Sequence, residues 1–310
     1  MMRSTLLWLS QRQGIFNFVR SNRLARKFAS RFVAGETVDT AVDAVRELNA
    51  GGITASLDLL GESVSRPAEA STARDEYLGM LARIASADVR ANVSVKLTQM
   101  GLDISPDLCR TNMRAILDEA RARNSFVRLD MEGSAYTDRT LSFFYDQLHA
   151  EYGTHCGVVI QAMLRRSPAD IDKLIGLRAR VRLCKGAYLE SPEVAYPDKR
   201  DVDAQYVTLM ERLLTDGNYP AIATHDEKIL EHAKAFARSR SIAPDRFEFQ
   251  MLYGVRRDLQ LRLRQEGWNL RVYIPFGTQW YPYLMRRLAE RPANIAFILG
   301  SVIRETLPGR

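Results

Sequence analysis

The 310-residue chain contains no run of about 18 consecutive apolar residues, the length a helix needs to span a bilayer, so no membrane-spanning helix is expected. Cysteine is scarce: Cys109, Cys156 and Cys184 are odd in number and far apart. They suit neither a disulfide framework nor a zinc site, and they point to a reducing, cytoplasmic compartment with no bound metal. No GxGxxG occurs anywhere, which removes the glycine-rich turn that an open, doubly wound dinucleotide fold places after its first strand. Acidic residues are absent before Glu36, whereas Arg3, Arg12, Arg20, Arg23, Arg26, Lys27 and Arg31 all precede it, so much of the net charge of +7 is local. Leu6, Leu7, Trp8, Leu9, Ile15, Phe16, Phe18 and Val19 are interspersed with them. Such a segment reads as a transit peptide, as peripheral contact with an anionic membrane surface, or as a helical extension packed on the domain. No recognised nucleic-acid-binding motif accompanies the charge, so no nucleic-acid partner is expected.

What is present is an alternation. From residue 53 onward, short β-branched or apolar runs separate longer helical patterns: 53–60, 92–97, 126–131, 157–162, 180–185, 220–225, 246–251 and 271–276. Eight strands, each followed by a helix, predict a right-handed parallel (βα)8 barrel of the TIM type. With 46 % hydrophobic residues the chain can fill such a core. The expected organisation is an N-terminal helical segment, residues 1–50, and a catalytic barrel, residues 51–310. Ser105-Pro106 and Ser167-Pro168 each read as an N-cap hydroxyl before a proline at the first helical position. The polar, proline-interrupted segment 189–201 reads as a mobile loop.

In barrels of this type the active site lies at the C-terminal strand ends. Polar residues expected there are Glu62, Lys96, Asp130, Glu132, Gln161, Arg182, Lys185, His225, Gln250 and Tyr273. A mouth with several cations calls for an anionic ligand. Lys185-Gly186-Ala187 and Thr224-His225-Asp226 each follow a strand and offer backbone N–H groups to a phosphate. Tyr283 lies three and four residues before Arg286 and Arg287, on one helical face. By themselves the two arginines read more as a solvated basic face than as a binding site.

The stretches 57-LDLLGE-62, 94-SVKLTQMGLD-103, 128-RLDMEGS-134, 181-VRLCKGAY-188, 223-ATHD-226, 249-FQMLYG-254, 273-YIPFG-277 and 283-YLMRRLAE-290 resemble, in this order, the proline dehydrogenase family, especially its short monofunctional bacterial members. The resemblance implies noncovalent FAD held without a dinucleotide-binding domain. It also implies oxidation of L-proline to Δ1-pyrroline-5-carboxylate by hydride transfer to flavin N5, the first step of proline catabolism to glutamate. By position, Met131, Gln161, Arg182, Lys185, Gly186, Ala187, Thr224 and His225 would contact FAD. Lys96, Arg286 and Arg287 would bind the substrate carboxylate, with Tyr273, Tyr283 and Leu252 around the ring. Asp130 and Arg182 would count as catalytic residues, and Glu62 would pair with one arginine to close the site. A quinone is the implied electron acceptor, and a separate pyrroline-5-carboxylate dehydrogenase the next enzyme. Two other readings stand beside this one: a barrel lyase or aldolase forming a Schiff base on Lys96 or Lys185, and a membrane-surface scaffold whose functional part is the basic N-terminus.

Overall fold

Alternate residues of each strand meet different environments, and this sets the architecture. One face of the sheet is apolar: Leu57, Val93, Leu129, Ile160, Leu183, Phe249 and Ile274 are at most 1 % exposed. The other is polar, and its side chains bond across strands that are not neighbours. Arg182 reaches Ser94, 88 positions away in the chain, which requires a closed sheet with the polar face inside.

The computed structural model describes residues 30–281 and 283–285. Its strands are β1 (Thr54–Leu59), β2 (Ala91–Val95), β3 (Val127–Leu129), β4 (Cys156–Gln161), β5 (Arg180–Cys184), β6 (Ala221–Ala223), β7 (Glu248–Leu252) and β8 (Leu270–Phe276). All neighbours pair in parallel and β8 returns to β1, from Thr54 opposite Arg271 to Leu59 opposite Phe276, closing the barrel. Helix α1 (Val38–Ala50) precedes β1. The others, α2 (Pro67–Ser86), α3 (Pro106–Ala122), α4 (Ser134–Phe143), α5 (Ser167–Gly176), α6 (Lys199–Asp216), α7 (Glu227–Ser239) and α8 (Arg257–Gln265), follow β1 to β7 in turn. The expected (βα)8 architecture is therefore found, and each of the eight expected runs contributes its strand.

The main core lies between sheet and helices. Met113, Ile116 and Leu117 of α3 are fully buried in it, each contributing about 1.5–3 kcal/mol. Ala41 and Val45 of α1 belong to the same core. At α3 the expected cap is found: Ser105 accepts the Leu108 N–H, with Pro106 as first helical residue. At α5 it is not. The N-cap is Arg166, and Ser167 already lies inside the helix, where its hydroxyl donates to the Gln161 carbonyl at 2.6 Å. The turn after β4 is tight enough to bring that hydroxyl back to the strand end, so it fastens α5 to β4 instead of capping.

Two segments shape the C-terminal mouth. The 189–201 connection is tethered: Ala195 bridges to Leu164, and Glu190 accepts from the Ser134 N–H at 2.7 Å and from its hydroxyl. Residues 31–36 lie across the ends of β7 and β8. Ala34 donates to the Pro275 carbonyl, Trp280 donates to Glu36, and Phe32 and Val33 pack with Leu60, Trp280 and Tyr283. Gly254, at φ +73°, is required there, because a Cβ would enter the Arg31 backbone.

Candidate active site

The period of two in the strands stacks polar side chains through the barrel interior. Ser56 and Asp58 come from β1, Ser94 from β2, Arg182 from β5, Gln250 from β7 and Tyr273 from β8; Lys96 and Asp130 follow β2 and β3 directly. Asp130 is placed by its own backbone, which donates to the Val95 carbonyl at 2.9 Å. Its carboxylate accepts from Arg182 at 2.7 Å and from the Tyr273 hydroxyl at 2.7 Å, and lies 3.9 Å from Lys96. Lys96 also pairs with Asp58 at 2.9 Å. Arg182 is held on two further sides, by Gln250 at 2.5 Å and Ser94 at 3.1 Å, and its guanidinium lies 5.2 Å from the Tyr273 ring centre.

Burial and charge fix the protonation states. Burial pushes the Asp58 carboxyl up, against the pull of Lys96. Burial also opposes the Lys96 charge, but the carboxylates of Asp58 and Asp130 outweigh it and hold the ammonium above its ordinary range. The Tyr273 phenol is raised well above its ordinary value by burial and then by Asp130 and Asp58. Lys96 is thus a fixed cation and Tyr273 a hydrogen-bond donor.

Beside this cluster lies a second group. Gln161 is 3 % exposed; its Nε2 donates to the Glu132 carbonyl at 3.3 Å, while its Oε1 has no partner among the described residues. Lys185 is clamped by Asp226 at 2.8 Å and by Asp203. Gly186 sits at φ +110°, where a side chain would strike Met163. Thr224 accepts the Asp226 N–H, and Asp226 caps α7, so a helix N-terminus faces this region. His225 accepts the Leu252 N–H through Nε2 at 2.9 Å, which requires its proton on Nδ1. A partnerless buried acceptor, a bare glycine and a cation beside a helix N-terminus suit a group with an N–H donor at one end and phosphate oxygens at the other.

The structure therefore brings Lys96, Asp130, Met131, Gln161, Lys185, Gly186, Ala187, Thr224, His225 and Leu252 to strand ends or just beyond them, and places Arg182 and Tyr273 within β5 and β8. Glu62 follows β1, half-buried, close enough to Glu132 to raise its carboxyl further, after burial, the main cause of that shift. Tyr283 is buried among Leu60, Phe32 and Trp280. Arg286 and Arg287 lie outside the described residues. Three contributors were not singled out from sequence: Asp58, Ser94 and Asp203. Asp58 had a signal, since Ser56-x-Asp58 repeats at period two inside an apolar run; Asp203 had only its i,i+4 spacing to Lys199.

Comparison with known proteins identifies the family. The family model "Proline dehydrogenase" matches residues 41–299. Proline dehydrogenase 1 of Bacillus subtilis is 42 % identical over 305 residues, covering 98 % of this chain and 100 % of that protein. Proline dehydrogenase of Deinococcus radiodurans is 41 % identical over 306 residues, covering 97 % of this chain and 98 % of the other. Among solved structures, proline utilization A from Bdellovibrio bacteriovorus, inactivated by N-propargylglycine, superposes with a TM-score of 0.81 at 26 % identity. That match covers 91 % of this chain and 34 % of the larger one, so the chain spans about a third of that protein's length. By sequence and by fold, this chain belongs to the proline dehydrogenase family.

Proposed function

We propose that the chain oxidises L-proline to Δ1-pyrroline-5-carboxylate, the first step of proline catabolism, with noncovalently held FAD as its cofactor. The observation that carries this reading is the Lys96–Asp130–Arg182–Tyr273 cluster beside the buried Gln161 acceptor, which has no partner among the described residues. Gln161, Arg182, Lys185, Gly186, Ala187, Thr224, His225 and Met131 are the residues that would hold the cofactor, with residues 51–310 as the catalytic unit and 1–50 as its N-terminal segment. When bound, the flavin supplies a two-electron acceptor for the hydride leaving C5 of the ring.

The chain's own residues do the rest. Lys96, joined by Arg286 and Arg287, binds the substrate carboxylate, and because Asp58 and Asp130 keep the lysine charged and fixed, binding sets orientation as well as affinity. Tyr273 and Leu252, with Tyr283, bound the space for the ring, and Glu62 closes it by pairing with an arginine. Arg182 is immobilised by Asp130, Gln250 and Ser94, so its positive charge is already in place where negative charge develops. The cationic surroundings favour the neutral amine over the ammonium, easing loss of the nitrogen proton to solvent. The same electrostatics argue against a Schiff-base mechanism: Lys96 is held as an ammonium and Lys185 lies between two carboxylates.

The proposal extends to a quinone as electron acceptor, to a separate downstream dehydrogenase, and to a cytoplasmic location with peripheral membrane contact through the basic residues 1–29. The Bacillus subtilis relative, matched along its whole length, supports the separate enzyme. Among the described residues no helix is long and apolar enough to cross a membrane. Purified protein should be yellow and should bleach when proline is added anaerobically. A colourless protein that FAD does not reconstitute would refute the proposal.

A further inference from the structure

The N-terminal mouth of the barrel, opposite the site above, opens into a cavity of about 620 Å³ between the strand starts and the ends of α2 and α3. Four arginines line it, Arg90, Arg123, Arg180 and Arg271, with Asp88 as the acid among the lining residues. Arg271 is neutralised by Glu248 at 2.8 Å and Arg123 by Glu119 at 2.5 Å. Arg90 donates to a backbone carbonyl, that of Asn49, at 3.1 Å.

Arg180 is different. Its guanidinium lies 4.6 Å from the Phe126 ring centre and 4.7 Å from that of Tyr219. Among the described residues it has neither an ion-pair partner nor a hydrogen-bond acceptor, and its Nε is buried without one. Two more polar groups lining the cavity are in the same condition: the Asn92 side-chain oxygen, on a residue 9 % exposed, and the Ser125 hydroxyl. Buried polar groups are ordinarily satisfied, and here three unsatisfied ones belong to residues that line one cavity. Burial, with the like charge of Arg271 beside it, holds the Arg180 guanidinium below its ordinary value despite the attraction of Glu248. A guanidinium flanked by rings presents its planar edge, a geometry suited to two oxygens of one anion.

We propose that this mouth is a second binding site, separate from the catalytic one, for a small oxyanion whose carboxylate or phosphate group takes the edge of Arg180. Arg90 adds charge at the rim and the Ser125 hydroxyl supplies a further hydrogen bond to the anion, while the Asn92 side-chain oxygen, an acceptor, can meet only an N–H or O–H elsewhere on the same ligand. The site does not depend on the identity of the reaction at the other mouth.

Titration calorimetry on the full-length, flavin-loaded protein tests this, using inorganic phosphate and, separately, succinate against potassium chloride at equal ionic strength. Saturable binding of one equivalent of either probe is expected; phosphate alone marks a phosphate-bearing ligand and succinate alone a carboxylate. Arg180→Gln should weaken that binding by at least about tenfold, the value of one charge-assisted bidentate contact. It should leave proline-dependent bleaching unchanged. Arg90→Gln, at the exposed rim, should weaken binding by about threefold and decides the matter should Arg180→Gln fail to fold. No saturable binding of either probe, or equal affinity in the folded variants, overturns the proposal. Binding that keeps its full affinity in Arg180→Gln belongs to the catalytic mouth and overturns it as well.

Discussion

Replacing Asp130 is the most informative perturbation of the catalytic cluster, because one buried carboxylate holds three partners. Asp130→Ala removes an ion pair and a hydrogen bond, each 2.7 Å long, and the weaker attraction of Lys96 at 3.9 Å. Arg182, 6 % exposed, is left charged, with Gln250 and Ser94 as its neutral partners. Removing one member of a buried pair destabilises by about 3–5 kcal/mol. The low end applies here, since Lys96 keeps Asp58 and Arg182 keeps two hydrogen bonds; about 3 kcal/mol is expected. Arg182→Met alone leaves Asp130 with Lys96 and Tyr273 and should cost about 2–3 kcal/mol on the same reasoning. The double variant removes both charges together, so its loss should fall short of the sum by about 2 kcal/mol. Urea titration at pH 7, followed by fluorescence of the buried Trp268 and Trp280, measures all three. Asp130→Asn, which keeps an acceptor for Tyr273, should lose less than the alanine variant. Additivity within about 0.5 kcal/mol would refute the idea that Asp130 and Arg182 act as one unit.

Three other expectations follow from the same reasoning. Arg287→Ala should raise the proline KM strongly while FAD stays bound, and an unchanged KM contradicts a carboxylate anchor. Leu117→Ala, at a fully buried position of α3, should lower unfolding free energy by about 2–5 kcal/mol, read as a shift in the urea midpoint; a loss under about 1 kcal/mol would mean the helix face is loosely packed. Asp203 is lowered in the fold because its bonds to Lys185 and Lys199 outweigh the burial that would raise it. Its contribution is therefore present above the unfolded carboxylate value of about 4 and lost as pH falls through the lower folded value. Asp203→Asn should reduce stability at pH 6 and flatten the acid limb below about pH 5; an unchanged limb would show that the pair contributes nothing.

The barrel was legible in the chain because strand and helix periods are local properties. Eight short β-branched runs, each followed by an amphipathic stretch, leave few topologies once parallel crossovers must be right-handed. Strand ends were legible for the same reason, and with them Lys96, Asp130, Gln161, Arg182, Lys185 and His225, because in this fold the position of a residue along its strand determines which mouth it reaches. Short motifs sufficed to indicate the family. They did not determine the start of α5: Ser167-Pro168 has the composition of a cap, and only the distance back to Gln161 shows the hydroxyl committed to β4.

What closure alone decided is which inward side chains meet. Ser94 and Arg182 are 88 positions apart, and Asp130 and Tyr273 are 143 apart. No periodicity relates such pairs, since their contact depends on strand stagger around the whole barrel. That is why Asp58 passed as one charge in an apolar strand, although it is the group that fixes Lys96. It is also why Arg180, two residues from Arg182 in sequence and facing the same interior, has no ion-pair partner among the described residues at the opposite mouth while its neighbour is held on three sides. The chain alone determined the fold and the chemistry available to it; the closed sheet decided which charges meet a partner across the barrel.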